Sequence, residues 1–145
     1  MILKSLNTFI EIAKEKPKKN LVIAAAEDEP VLQAVKSAME EGICNPILIG
    51  DSEKISKISN EIDFNLEGIE IIDEKDASKS AFKAVSLVRD GKAQIIMKGM
   101  VGTADYLRAI LNKDNGLRKG AVLSHIGFFE SPYYHKVIGL TDAAQ

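Results

Sequence analysis

Residues 93–112 read AQIIMKGMVGTADYLRAILN, and the order of residue types in this stretch sets the expectation for the whole chain. Residues 94–97 form a short run of buried-strand type, 98–102 (KGMVG) hold two glycines, and from Thr103 a helix is expected that carries Arg108. Strand, glycine-bearing loop and helix in that order leave backbone N–H groups and the positive end of a helix dipole at the mouth of the turn. That is where α/β proteins commonly hold phosphate. A substrate-anion site is therefore expected here.

Working outward, the same unit recurs. Residues 21–26 (LVIAAA) are continuously apolar, as in a parallel strand covered on both faces. Asp28, Glu29 and Pro30 then open a helix whose apolar positions are Val31, Ala34, Val35, Ala38 and Met39, closed by Gly42. A second strand is expected at 46–49, with Gly50-Asp51-Ser52 turning into a short helix at 53–59. A third strand at 67–73 (EGIEIID) precedes a helix from Asp76 or Ser78 in which Ala81, Ala84, Val85 and Val88 share a face, ended by Gly91. Four strands alternating with helices argue a three-layer αβα fold with a mostly parallel sheet and right-handed crossovers.

The ends of the chain depart from that rhythm. Residues 3–15 are expected as a helix stopped by Pro17, with the basic run 14–19 as a solvated turn. After a polar loop at 113–120, residues 121–129 read as a long strand carrying Ser124 and His125. Residues 130–133 are expected to turn into a further strand at 136–141, giving an antiparallel hairpin.

Composition narrows the function classes. The chain has 145 residues, 46% apolar and 28% charged, with 19 basic against 21 acidic side chains and a net charge of −2. Three arginines, no Trp and no basic excess argue against a nucleic-acid module. No stretch approaches a membrane span or a signal peptide, so a cytoplasmic protein is expected. The single cysteine, Cys44, fits a reducing compartment and reads as a buried filler beside a strand. There is no P-loop, no G-x-G-x-x-G after the first strand and no paired Cys/His spacing. The acidic turn Glu27-Asp28-Glu29 suits capping and dipole compensation better than a metal cage, and no metal is assigned.

Within the central stretch, Thr103 stands at an expected N-cap, and Gly99 and Gly102 allow close backbone approach. Arg108 lies about 140° around the helix from Thr103, so a long guanidinium has to reach round to share its site. Lys98 ends a strand on the ligand side of the sheet, where it pairs with phosphate or stays solvated. Arg118 is a weaker anion partner, and His135 is expected to be exposed beside Tyr133 and Tyr134. The plain alternative is that Thr103 only caps and Arg108 only pairs with a neighbouring carboxylate.

Three stretches, AAAEDEPVLQAVKSAMEEGICNPILIGD, MKGMVGTADYLRAILN and LSHIGFFE with LTDAA, resemble in order and spacing the phosphate acetyl/butyryltransferase family, nearer its butyryl branch. The resemblance covers essentially the whole chain. It implies transfer of an acyl group, with a butyryl preference, from CoA to inorganic phosphate, with CoA as substrate and product and no cofactor. It also implies a fold like that of isocitrate and isopropylmalate dehydrogenases, with two domains flanking a cleft. The chain then represents an incomplete first domain. The returning segment that carries the family's Ser-Arg and Asp is absent, so no catalytic residue is expected here and the chain alone should be inactive.

The same resemblance assigns Thr103 and Arg108 to the phosphate and CoA pocket, to which Gly102 and Lys98 are added as substrate-binding candidates from their places in the loop and at the strand end. It also matches Asp142 to an acidic family position that faces the cleft; the plain alternative for Asp142 is a helix cap. Acyl-CoA, CoA and phosphate are the expected partners, without nucleic acid or membrane. A homo-oligomer is expected, with the hairpin bearing Phe128, Phe129, Tyr133 and Tyr134 as its contact. The competing reading is a non-catalytic α/β module that binds a small anion or a protein.

Overall fold

The fold, a computed structural model, describes residues 5–120 and 123–141. They divide into two compact units, residues 18–118 and a smaller one built from the two ends of the chain.

In the larger unit the strand expected at 21–26 is β1 (Lys19–Ala24), which starts earlier and leaves Ala25 and Ala26 beyond its end, followed by α2 (Glu29–Glu40), β2 (Cys44–Gly50), α3 (Ser52–Glu61), β3 (Glu70–Asp73), α4 (Ala77–Arg89), β4 (Ile95–Lys98) and α5 (Thr103–Ile110). α1 (Asn7–Lys14) precedes them in the other unit. The four strands are parallel in the order β3-β2-β1-β4. Successive side chains of a strand point to opposite faces, and β1 divides its residues accordingly. Val22 and Ala24 pack with Ala81, Ala84 and Val85 of α4 and Ala109 of α5, while Leu21 and Ile23 pack with Leu32 and Val35 of α2 and Ile55 of α3. The sheet is thus buried on both faces, as the unbroken apolar run requires.

The first three βα turns are each fixed by a carboxylate at the helix start. Asp28, Asp51 and Asp76 accept backbone N–H groups of the first turn of α2, α3 and α4 respectively. The acidic turn therefore caps through Asp28. Cys44 opens β2 at 2% exposure, and burial pushes its thiol pKa up.

Several expected boundaries move. β3 starts at Glu70, because Gly68 at φ +77 turns the chain just before it. The expected long strand at 121–129 is shorter: β5 (Ile126–Ser131) begins opposite Thr141 of β6 (Tyr134–Thr141), so Ser124 and His125 precede the strand and are exposed. Residues 121 and 122 lie outside the described residues.

In the smaller unit α1 lies on the antiparallel hairpin. The ring of Phe9 stands 5.2 Å from that of Phe128, and the Leu6 N–H donates to Glu130 Oε1. No described helix is long and apolar enough to cross a membrane.

Candidate functional site

The strand order puts a topological switch between β1 and β4: the chain leaves β1 towards β2 and β3, then crosses back to β4. In open parallel sheets ligands bind outside the carboxyl ends at such a switch. Here those ends are bonded to each other. The ladder continues past the strands, with the Gly99 N–H donating to Ala24 O at 2.9 Å and the Met100 N–H to Ala25 O at 2.7 Å.

Only glycine fits at the crossing, since a Cβ on residue 99 would stand 2.1 Å from Ala25 O and 2.7 Å from Ala24 O. Gly99 thus serves the approach of loop to strand, and two loop N–H groups expected for an anion are spent inside the sheet. Ala25 takes φ 54, a left-handed conformation that a residue with a Cβ rarely adopts and that is often found beside functional sites. Val101, 3% exposed, then anchors the loop in the core while Met100 points outward.

The free donors lie at the start of α5. The first intrahelical bond there runs from the Tyr106 N–H to Gly102 O, leaving the N–H groups of Thr103, Ala104 and Asp105 ahead of it. Gly102, Thr103 and Ala104 are exposed, so these donors and the dipole face solvent. The N-cap is Gly102, without a side-chain cap, and Thr103 is the first helical residue. The expected Thr103 cap is therefore corrected: its hydroxyl is not engaged in capping. Tyr106 fastens the helix over β4 through its hydroxyl, which donates to Ile96 O at 3.2 Å, and burial raises its pKa.

Arg108 is exposed and paired with Asp105, one turn back. Helical side chains lean towards the N-terminus, and this pair draws the guanidinium towards the end where the free N–H groups lie. Lys98 turns back on its own loop, its Nζ donating to Gly99 O at 3.3 Å. Structure thus brings Gly102, Thr103, Arg108 and Lys98 to one loop-helix junction. Arg118 and His135 are exposed away from it in sequence, and Asp142 lies outside the described residues.

Two features were not singled out from sequence. Glu27, read there only as part of a capping turn, has a carboxylate oxygen, Oε2, enclosed without a hydrogen-bond partner. It presses on Gly50, where a Cβ would stand 1.9 Å from it. The small residue at position 50, just before the capping Asp51, was the available signal. A groove of about 490 Å³ between α2 and the end of α3 is lined by Glu29, Glu40, Glu61 and Asp63 against Lys36, a poor setting for an anion.

Comparison with known proteins bears on the family of the chain. A family model described as phosphate acetyl/butaryl transferase matches residues 5–81. Phosphate butyryltransferase of Clostridium acetobutylicum is 43% identical over 143 residues, 99% of this chain and 48% of that protein. Phosphate acetyltransferase of Thermotoga maritima is 33% identical over 139 residues, 94% of this chain and 46% of that protein. A solved branched-chain phosphotransacylase from Enterococcus faecalis V583 aligns with a TM-score of 0.69 at 30% identity, over 87% of this chain and 43% of that one. The chain spans about half the length of the curated relatives it matches. With a family model matched over just over half of its residues, and relatives aligned along nearly all of it, the chain belongs to the phosphate acetyl/butaryl transferase family.

Proposed function

We propose that the chain supplies the phosphate-side wall of a phosphate acyltransferase site, in which acyl-CoA and inorganic phosphate give acyl phosphate and CoA, with butyryl-CoA as the preferred donor. The observation that supports this most is the start of α5, where the N–H groups of Thr103, Ala104 and Asp105 precede the first helical bond and Thr103 and Ala104 are exposed at the carboxyl end of a parallel sheet. Thr103 and Gly102 present that end, Arg108 gives up Asp105 to pair with a phosphate oxygen, and Lys98 adds charge at the loop. These groups bind. The thiol-activating groups belong to a part of the fold opposite this wall, so the chain alone is expected to turn over little or not at all. Asp142, which by resemblance matches an acidic family position, lies outside the described residues. The exposed apolar hairpin, with Tyr133 at 95% exposure, is assigned to a subunit contact.

The test supplies butyryl-CoA and phosphate to the chain alone and to a polypeptide of the relatives' full length that carries it, and titrates liberated thiol. Phosphate-dependent release from the longer polypeptide is expected, falling about tenfold or more in Arg108→Ala through loss of a charge-assisted contact. No phosphate-dependent release from the longer polypeptide would sink the proposal, and full activity of the chain alone would refute its assignment as a binding wall only.

A further inference from the structure

The loop between β4 and α5 is committed to the fold at nearly every residue. Lys98 folds its Nζ back onto Gly99 O at 3.3 Å, and Gly99 leaves no space for a side chain against Ala24 O and Ala25 O. Val101, 3% exposed, belongs to the core with Ala81, Ala84 and Val85 of α4 and Ala109 of α5. Gly102 is the N-cap, whose carbonyl takes the first helical bond from the Tyr106 N–H. Met100 is the exception. Its N–H is held by Ala25 O at 2.7 Å, yet its side chain is 61% exposed, more than any other large apolar residue of the 18–118 unit.

Single apolar residues scattered over a surface need no explanation. The place of this one does. The bond to Ala25 O fixes Met100 at the crossing of β1 and β4, the topological switch at which open parallel sheets take ligands. Two trans peptide units separate its Cα from that of Gly102, so the two lie within about 8 Å of each other. An apolar side chain on pinned backbone thus stands beside the helix start that carries the free N–H groups.

We propose that Met100 is a specificity-determining residue that receives the acyl chain of the acyl phosphate, and so favours an unbranched apolar chain such as butyryl over acetyl. This rests on the reading of the start of α5 as the phosphate site. In an acyl phosphate the acyl carbon is joined to phosphorus through one bridging oxygen, so a phosphate on the first N–H groups of α5 keeps the chain within reach of the neighbouring loop. Of that loop's other residues, Lys98 is charged, Gly99 and Gly102 have no side chain and Val101 is buried, which leaves Met100 to offer apolar surface. Its thioether chain is unbranched and adapts to a flexible alkyl chain, and each methylene it covers is withdrawn from water. An acetyl group has no methylene to cover, so the contact discriminates by chain length.

Methyl phosphate and n-butyl phosphate are stable probes that differ by three methylenes, and calorimetry of the 145-residue chain with each, and with inorganic phosphate, tests this role. Three methylenes covered on every side would favour the butyl ester about sixtyfold; one wall covers part of each, so a preference of about fivefold or more is expected. Met100→Ala, at an exposed position where the fold loses little, should bring the two esters within about twofold, chiefly by weakening the butyl ester. Met100→Leu, apolar and of similar volume, should keep the preference. Equal binding of the two esters, a preference that survives Met100→Ala, or one lost equally in Met100→Leu overturns the role of Met100 while phosphate binding stands. A chain that binds neither ester nor inorganic phosphate overturns the phosphate site and this role with it.

Discussion

Gly99 and Gly102 occupy the same loop, yet their surroundings demand opposite things of them. A Cβ at position 99 would press on two backbone carbonyl oxygens of β1's end, whereas at position 102 the nearest atom is Asp105 Oδ2 at 3.7 Å. Backbone cannot rotate away as a side chain can, so Gly99→Ala has to push the loop off β1 and break the bonds of Gly99 and Met100. An overpacking cost of about 2–3 kcal/mol is expected for Gly99→Ala, against about 0.5–1 kcal/mol for Gly102→Ala at a helix start. Urea unfolding of the two variants measures the contrast; equal losses would show that the crossing is not as tight as drawn. Both glycines are visible in KGMVG, but their spacing does not tell which one meets strand and which meets solvent. Thr103 shows the same limit: a residue type that favours the cap sits one position too late, because Gly102 already takes the non-helical turn.

At the scale of elements, the β3 end is clasped to the start of α3 by Asp73, and the clasp has a pH dependence of definite sign. The N–H and hydroxyl of Ser52 hold the Asp73 carboxyl below its ordinary range, with Lys75 and Lys83 adding to the effect; Lys83 likewise lowers Glu74. Folded values below the unfolded ones, about 3.9 for Asp, mean that the contribution is fully present above the unfolded value. It is lost as pH falls through the lower folded value. The urea midpoint should therefore drop between about pH 5 and pH 3, and drop less in Asp73→Asn. An unchanged acid slope in that variant would assign the loss to other carboxylates. Elements with a strong pattern were legible in the sequence: LVIAAA fits a strand buried on both faces, although β1 ends at Ala24 and Ala25 turns left-handed beyond it, and the apolar residues recurring one turn later in α2 and α4 marked their inner sides. The clasp was not, since Ser52 and Asp73 lie 21 residues apart and meet only because β2 and β3 are neighbours. Glu27 was hidden for the same reason, as its contact with Gly50 needs β1 beside β2.

At the scale of the molecule, the two compact units differ in what keeps them folded. Residues 18–118 hold both apolar cores around the parallel sheet. The other unit rests on a two-stranded hairpin, a structure marginal by itself in water, and its strands leave Ile126, Phe128, Phe129 and Tyr134 about half exposed. What α1 adds is therefore decisive: Phe9 covers Phe128, and the Leu6 N–H ties the helix start to Glu130. Phe9→Ala removes the ring from that contact, and local opening follows the loss of buried apolar contacts within a cooperative unit. Hydrogen exchange should then lose protection across β5 and β6, by about tenfold or more for a lost aromatic packing of about 1.4 kcal/mol, while the amides of β1 and β2 keep theirs. If protection fell equally in both sets of strands, the chain would be unfolding as one cooperative body, and the hairpin's stability would have to come from contacts other than its own helix.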